Sequence, residues 1–195
     1  MKISIIGKGN VGSALARRLT AVGHTVTTAG SATDAGEVAA RITEAEVAVL
    51  AVPFPAVAQL DDTVKKALDG KIIIDATNPL AADFMSLTVG HTTSAGEQVA
   101  AALPGARVVK AFNTVFAGTL ETPELGGRKL FLPVASDDED AKKIVLDLGA
   151  ELGFDAVDAG SLANARYLEP AVELLIQLAY GVGLGGDIGF TLARA

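Results

Sequence analysis

The chemistry of this chain begins at Gly7-Lys8-Gly9-Asn10-Val11-Gly12. Three glycines in a G-x-G-x-x-G spacing let backbone N–H groups come up against a pyrophosphate. Gly7 permits a tight turn, Gly9 lets the backbone approach the phosphates, and Gly12 lets a helix pack closely on a strand. A helix starting there offers free N–H groups and a partial positive charge to an anion. By itself the motif is equally a plain βα turn, so its context matters. Met1–Ile6 (MKISII) reads as an apolar strand and Ser13–Leu19 (SALARRL) as a helix. Strand, glycine turn and helix in that order form a dinucleotide-binding βα unit. Gly7, Lys8, Gly9, Asn10, Val11 and Gly12 are therefore candidate nucleotide contacts.

Few other residues carry chemistry. The chain has no cysteine and two histidines, which excludes disulfides, thiolate metal sites and cysteine nucleophiles. His24 precedes a strand and reads as structural. His91, in the loop VGHTTSAG, faces a pocket or simply lies on the surface. Asp75 sits where it could orient the Thr77-Asn78 turn instead of acting as a base. Lys110 is either an edge lysine that snorkels to solvent or an anchor for an anionic ligand. No acid–base pair, metal cluster or nucleophilic triad can be assembled, so no catalytic or metal-binding residue is assigned. An alcohol dehydrogenase must move a hydroxyl proton. Direct hydride exchange between two redox cofactors needs mainly that their rings be positioned, and this residue set suits that chemistry better.

Alternating strands and helices must hold these residues. Beyond the first helix, ended by Gly23, strands are expected at His24–Ala29, Val47–Val52, Lys71–Ala76, Arg107–Phe112, Leu130–Ala135 and Phe154–Ala159. Helices are expected at Asp34–Glu44, Val57–Leu68, Gly96–Leu103 and Glu169–Tyr180. A capping box, Ser136-Asp137-Asp138-Glu139, opens another that runs to Leu152. Leu130–Ala135 contains Pro133, which has no N–H for a ladder, and is expected to be more exposed. Near-continuous apolar strands between helices imply a parallel sheet covered on both faces. The predicted class is α/β: a Rossmann-type, doubly wound, mainly parallel sheet with a small C-terminal helical lobe. Residues 1–195 are read as one compact dinucleotide-binding domain, with 120–195 closing the cleft.

In such sheets ligands sit at the carboxyl ends of the strands. The expected wall is Gly7 to Val11, Gly30 with Ser31, Ala32 and Thr33, then Val52, Pro53 and Phe54. Thr77, Asn78, Pro79 and the Asn113-Thr114 pair complete it. Plain turn chemistry is the alternative for Pro53 and Pro79, and core packing for Phe54. An NAD-specific site places a carboxylate at the end of the second strand for the ribose hydroxyls. Here that stretch reads Thr28-Ala29-Gly30-Ser31-Ala32-Thr33, and Asp34 comes a few residues late. Small hydroxyl residues leave room for a 2′-phosphate and can donate to it, so NADP is favoured. The arginine usual for that task is missing from this loop. Arg17, Arg18 and Arg41 either reach in or are solvated helix charges.

The 195 residues carry a formal net charge of −7 and are 50% hydrophobic. That is enough for a sizeable core, and it argues against non-specific nucleic-acid binding. No stretch reads as a membrane span. The apolar strand begins at Met1-Lys2, leaving no room for a signal peptide. The expectation is a cytoplasmic protein that binds small-molecule redox cofactors, not nucleic acid or membrane.

Four segments resemble a known family, the NADP oxidoreductases dependent on coenzyme F-420 (F420, a deazaflavin). They are IGKGNVGSALARRL, VAVLAVPFP, ASDDEDAKK and, above all, DAGSLANARYLEPAVELLIQLAYGVGLGGDIGF. The resemblance spans essentially the whole length. It implies NADP on the Gly7 to Val11 turn, its 2′-phosphate on the loop at Ser31-Ala32, and the deazaflavin beside Pro53-Phe54 and Gly183 to Gly189. Members commonly have Ser-Arg where this chain has Ser31-Ala32. Asn113, in KAFNT, stands where a histidine is expected in the deazaflavin enzymes. Many bacterial relatives that share ATNPL and KAFNT are known only as dinucleotide-binding proteins.

The resemblance also gives the C-terminal lobe a role in closing the cleft and forming a homodimer. Leu162, Tyr167, Val172, Leu175, Ile176 and Ala179 form its apolar stripe, with core packing as the alternative. Arg166 either holds an anionic group of the second ligand or is solvated. The implied activity is hydride transfer between NADP(H) and coenzyme F-420 or a flavin-like acceptor. The alternatives are an NADPH-dependent reductase of free flavin, ferric chelates or a small carbonyl or imine, and a redox sensor that binds the dinucleotide without turnover.

Overall fold

In the computed structural model, which describes residues 1–194, five parallel strands stand in the order β2-β1-β3-β4-β5. They are β1 (Lys2–Ile6), β2 (Thr25–Ala29), β3 (Val47–Leu50), β4 (Ile72–Asp75) and β5 (Arg107–Lys110). Alternate residues of each strand feed two cores. Ile3, Ile5, Val47, Val49, Ile72, Ile74 and Val109 join the core on one face. Ile6, Ala48, Leu50, Ile73 and Val108 join the other. Helices α1 (Asn10–Ala21), α6 (Ala117–Glu121) and α7 (Glu139–Glu151) cover the first face. Helices α2 (Ala35–Glu44), α3 (Phe54–Ala58), α4 (Asp62–Ala67) and α5 (Ala95–Ala102) cover the second. Two covered faces explain why β3 and β4 are buried without alternation, while the edge strand β2 alternates exposed and more buried residues. Each fully buried valine or isoleucine contributes about 1.5–3 kcal/mol.

The strand order places the site. The chain runs outward from β1 to β2 and then crosses back to β3, so the winding reverses between β1 and β3. A crevice opens at such a switch point beyond the carboxyl ends of the strands. Glycine turn, β2 end and β3 end therefore converge there.

Several expected boundaries shift for identifiable reasons. The single helix expected at Val57–Leu68 is two short ones, because Asp61 caps α4 by accepting from the Thr63 N–H at 2.8 Å. A local cap of this kind ends one helix and starts the next. The expected capping box at Ser136 and Glu139 does not form. Asp138 is the N-cap of α7, while Ser136 Oγ donates to the Val108 carbonyl. The long C-terminal helix starts earlier than expected: α8 spans Ala165–Ile176, with Pro170 inside it, and a π-turn follows over Gln177–Gly181.

Strands β6 (Glu124–Leu125) and β7 (Arg128–Lys129) form a hairpin that the sequence reading did not anticipate. Gly126 and Gly127 close it at φ of 58° and 75°, the double positive φ that a two-residue type I′ turn needs. Strands β8 (Phe131–Val134) and β9 (Asp155–Asp158) pair in parallel, and β8 joins β5 through reciprocal bonds between Lys110 and Ala135 at 2.8 and 3.0 Å. The segment expected to be more exposed is therefore buried. Pro133 is tolerated because alternate residues of a strand face opposite edges. It shares its edge with Phe131 and Ala135, whose N–H groups bond Phe190 and Lys110, while β9 pairs with the other edge.

Candidate functional site

The three glycines of the turn are required for three different reasons. Gly7 has φ 124° and lies directly against Ala51; a Cβ there would collide with the Ala51 carbonyl. A Cβ on Gly12 would collide with the Gly7 carbonyl, which lets α1 seat on the turn. At Gly9 a Cβ would meet nothing within 4 Å. Its space is open, as a site for a ligand requires. Gly9 is also the N-cap of α1 and makes no side-chain cap, while its carbonyl accepts from Ser13 N at 2.9 Å. The first N–H groups of α1 are thus left without intrahelical partners and can take an anion.

Two cavities lie on either side of this helix start. One, of 460 Å³, is lined by Gly7, Lys8, Gly9, Ser31, Thr33, Val52 and Pro53 among others. The other, of 410 Å³, is mostly apolar and takes in Val11, Asn78, Phe84, Met85, Phe116 and Tyr180. The structure therefore brings eleven of the eighteen expected residues to a cavity wall. Asn10, Gly12, Ala32, Phe54, Thr77, Pro79 and Thr114 line neither. Asn10 and Ala32 are exposed beside the first cavity, and Phe54 packs on the core under α3. Thr77 and Pro79 are buried behind the wall. Neither Pro53-Phe54 nor Gly183–Gly189 lines the apolar cavity; Gly189 packs on Leu130 instead.

The apolar cavity has an unusual floor. Phe112 is buried with φ 63°, its ring edge-on to Phe154 at 6.1 Å. A bulky residue at positive φ costs of order 1–3 kcal/mol and persists only where packing enforces it. The kink sets Asn113 toward the cavity. Asn113 Nδ2 donates to Asn78 Oδ1 at 3.1 Å, and Asn78 Nδ2 donates to the Asn113 carbonyl at 3.0 Å. Asn113 Oδ1 is buried without a partner, so an acceptor remains available to a ligand there. Phe84, also at positive φ (59°), and Tyr180, whose ring is tilted 39° to that of Phe116 with centroids 5.9 Å apart, supply aromatic walls. Sequence reasoning missed Phe84, Met85, Phe116 and Tyr180. The one signal available was the long stretch between the fourth strand and the next helix, with no element of its own.

Behind the floor lies a fully buried ionic group. Lys110 Nζ donates to Asp75 Oδ2 at 2.9 Å and to the Thr77 carbonyl at 2.6 Å, and pairs with the Glu169 carboxylate, whose Oε1 lies 2.9 Å away. Asp75 Oδ1 accepts from Thr77 N, and Glu169 accepts from the N–H groups of Ala95 and Gly96 at the start of α5. Lys110 is thus neither an edge lysine nor a ligand anchor. Its charge is taken up by two buried carboxylates, and the extra negative charge sits on a helix N-terminus, where it is stabilised. Asp75 orients the Thr77 turn as expected.

The candidate arginines are engaged elsewhere. Arg17 pairs with Glu121 and Arg18 donates to the Leu152 carbonyl. Arg41 binds Glu37 and the Thr28 carbonyl. Arg166 holds Glu97 through two bonds of 2.8 and 2.5 Å, which keeps the Glu97 carboxyl below its ordinary range and raises the guanidinium. His24 bridges the N-terminal amine and Glu151, a structural role. His91 is exposed, beside a cavity that Arg166 also lines. Among the described residues no group of three acidic, histidine or cysteine side chains could hold a metal ion. Nor, among them, is any helix long and apolar enough to cross a membrane.

The family model for NADP oxidoreductase, coenzyme F420-dependent, matches residues 2–79, from β1 through the Thr77-Asn78 turn. The F420-dependent NADP reductase of Methanothermobacter marburgensis is 38% identical over 69% of this chain, which spans 63% of that protein's length. The reductase of the same name from Methanothermobacter thermautotrophicus is 31% identical, with 91% of this chain and 89% of that protein covered. A candidate F420-dependent NADP reductase from Arthrobacter sp. FB24 has a solved structure that superposes at a TM-score of 0.87, with 30% identity and full coverage of both chains. On this likeness over nearly the whole length, the chain belongs to the family of coenzyme F420-dependent NADP oxidoreductases.

Proposed function

We propose that the chain transfers hydride between NADP(H) and coenzyme F420. One observation carries this reading: an anion-accepting cavity at Gly7 to Gly9 and an apolar, aromatic cavity at Val11 flank the first turn of α1. A dinucleotide laid on Gly9 would have its phosphates at the helix N-terminus and one end directed toward Val11. When bound, NADP(H) would give or take the hydride. The chain's own residues bind and orient. Gly7, Gly9 and the α1 N–H groups hold the pyrophosphate, and Ser31 and Thr33 bound the ribose end. Phe84, Phe116 and Tyr180 hold a flat acceptor ring, with Asn113 Oδ1 accepting from a ring N–H. The one proton that accompanies the hydride on or off the acceptor ring is exchanged with solvent, in keeping with a pocket whose side-chain polar groups are two amides, Asp83 and the Tyr180 phenol.

The same proposal places the protein in the cytoplasm as a homodimer. Tyr167, Leu174, Tyr180, Val182 and Leu184 are exposed along α8 and the segment after it, an apolar strip of the kind that pairs with a second copy. A cysteine-free chain suits a reducing compartment.

The test is anaerobic mixing of purified protein with NADP and reduced F420, following the visible absorbance of the oxidised deazaflavin. Recovery that needs both protein and NADP is the expected result. No recovery, with NADPH binding still measurable, would replace F420 by another acceptor.

A further inference from the structure

The loop after β2 contains the hydroxyl groups of Ser31 and Thr33 but no cation, and the nearby arginines are committed to other partners. Among the described residues, Lys8 is the one cation lining the 460 Å³ cavity. It takes part in none of the ion pairs made by the other lysines and arginines. Its position is not that of a loose surface lysine. The stem crosses from the glycine turn onto the end of β2, with Cδ, Cγ and Cβ at 3.3, 3.6 and 3.7 Å from where Gly30 would carry a Cβ. Gly30 is thus the floor on which the lysine's stem lies, at the start of the 31–33 loop and in the wall of the same cavity as Ser31 and Thr33.

That loop is already shaped. Thr33 N donates to the Gly30 carbonyl at 3.0 Å and Gly30 N donates to Thr33 Oγ1 at 3.1 Å, closing a turn with Ser31 exposed on it. The cavity's one carboxylate, Asp61, is turned to cap α4. We propose that Lys8 distinguishes a nucleotide with a 2′-phosphate from one with a free 2′-hydroxyl. The proposal rests on the nucleotide assignment above and deepens it. A phosphate dianion takes a charge-assisted bond from the ammonium, which a hydroxyl cannot match. Lysine can stand in for the usual arginine because its ammonium binds phosphate as a point charge. The cation comes from the glycine turn instead of from the loop after β2.

Calorimetric titration with 2′,5′-ADP and 5′-AMP tests this without any redox chemistry. The native protein is expected to prefer 2′,5′-ADP. In Lys8→Gln its affinity should fall roughly 10- to 100-fold, the range for a hydrogen bond to a charged group. Affinity for 5′-AMP should change less than about two-fold, and Lys8→Arg should keep the preference. Lys8 is exposed, so an unchanged unfolding midpoint is expected and serves as the folding control. Equal losses for both probes would assign Lys8 to a phosphate they share and overturn the proposal. No loss for either would overturn it too. A native protein that binds both probes equally would end the proposal but leave the nucleotide assignment standing. Failure to bind either probe or NADPH would end both.

Discussion

Lys110 on β5 and Glu169 on α8 meet at 2.9 Å with both side chains essentially excluded from solvent. Through this contact the C-terminal helix is joined to the end of the sheet that forms the floor of the apolar cavity. Glu169 also caps α5, and Asp75 and Thr77 complete the group. Removing one partner of such a group leaves an uncompensated buried charge, at a cost of about 3–5 kcal/mol. Lys110→Met, which leaves two carboxylates facing each other, should lose about that much in urea unfolding. Glu169→Gln keeps the Lys110–Asp75 pair and should lose about 1–3 kcal/mol. A Lys110→Met protein within about 0.5 kcal/mol of native would show that the group has no structural weight.

The glycine turn separates folding from binding. Gly9→Asp places its side chain in open space, so unfolding free energy should stay within about 1 kcal/mol of native. The carboxylate would occupy and repel the pyrophosphate, and NADPH binding should be lost. Gly12→Ala is the converse, forcing a methyl group into the Gly7 carbonyl, and should cost roughly 1–3 kcal/mol by overpacking. Calorimetric NADPH titrations beside urea curves for both variants check this. Native affinity in Gly9→Asp would remove the turn from the binding site.

How much of this was legible in the sequence follows from which contacts are local. The turn could be read because its three glycines, strand and helix are contiguous. The central strands could be read because burial on both faces makes them largely apolar. Lys110 could not be resolved, because its partners Asp75 and Glu169 lie far off in the chain and a lysine on a strand looks the same whether paired or free. The walls Phe84, Phe116 and Tyr180 come from three separate segments and share no spacing. Pro133 misled because the rule it invokes concerns a strand's hydrogen-bonding edge, and the edge it occupies is not the one that pairs with β9. The β6–β7 hairpin is legible in Gly126-Gly127, an adjacent glycine pair that can supply positive φ at both turn positions between two short strands.

Asp138 gives a pH dependence of known sign. The hydrogen bonds from Arg107, reinforced by the Ala141 N–H, lower its carboxyl from 3.8 to about 2. A carboxyl depressed on folding adds stability that is fully present above 3.8 and is lost as pH falls through about 2. Both side chains are about 35% exposed, so solvent screening holds the contribution below about 1 kcal/mol. Asp138→Asn keeps the helix cap and removes the charge. Melting curves from pH 6 to pH 2 should show the native protein losing more stability than Asp138→Asn below about pH 4. Parallel curves would mean that the ion pair contributes nothing.

Ala32 lies exposed in the turn beside Ser31, where it leaves room for a larger side chain. Ala32→Arg adds a second cation within reach of any group held over that turn. If the 2′-phosphate sits there, NADPH should bind roughly 10-fold tighter while NADH changes little. On the Lys8→Gln background the same substitution should gain more, because the phosphate then has no other cation and the two residues share one partner. Gains of equal size in both backgrounds would place Lys8 and the loop at different groups of the nucleotide. An equal gain for NADPH and NADH would mean that the turn at Ser31 faces a phosphate common to both, and the ribose end would have to be sought elsewhere along β2.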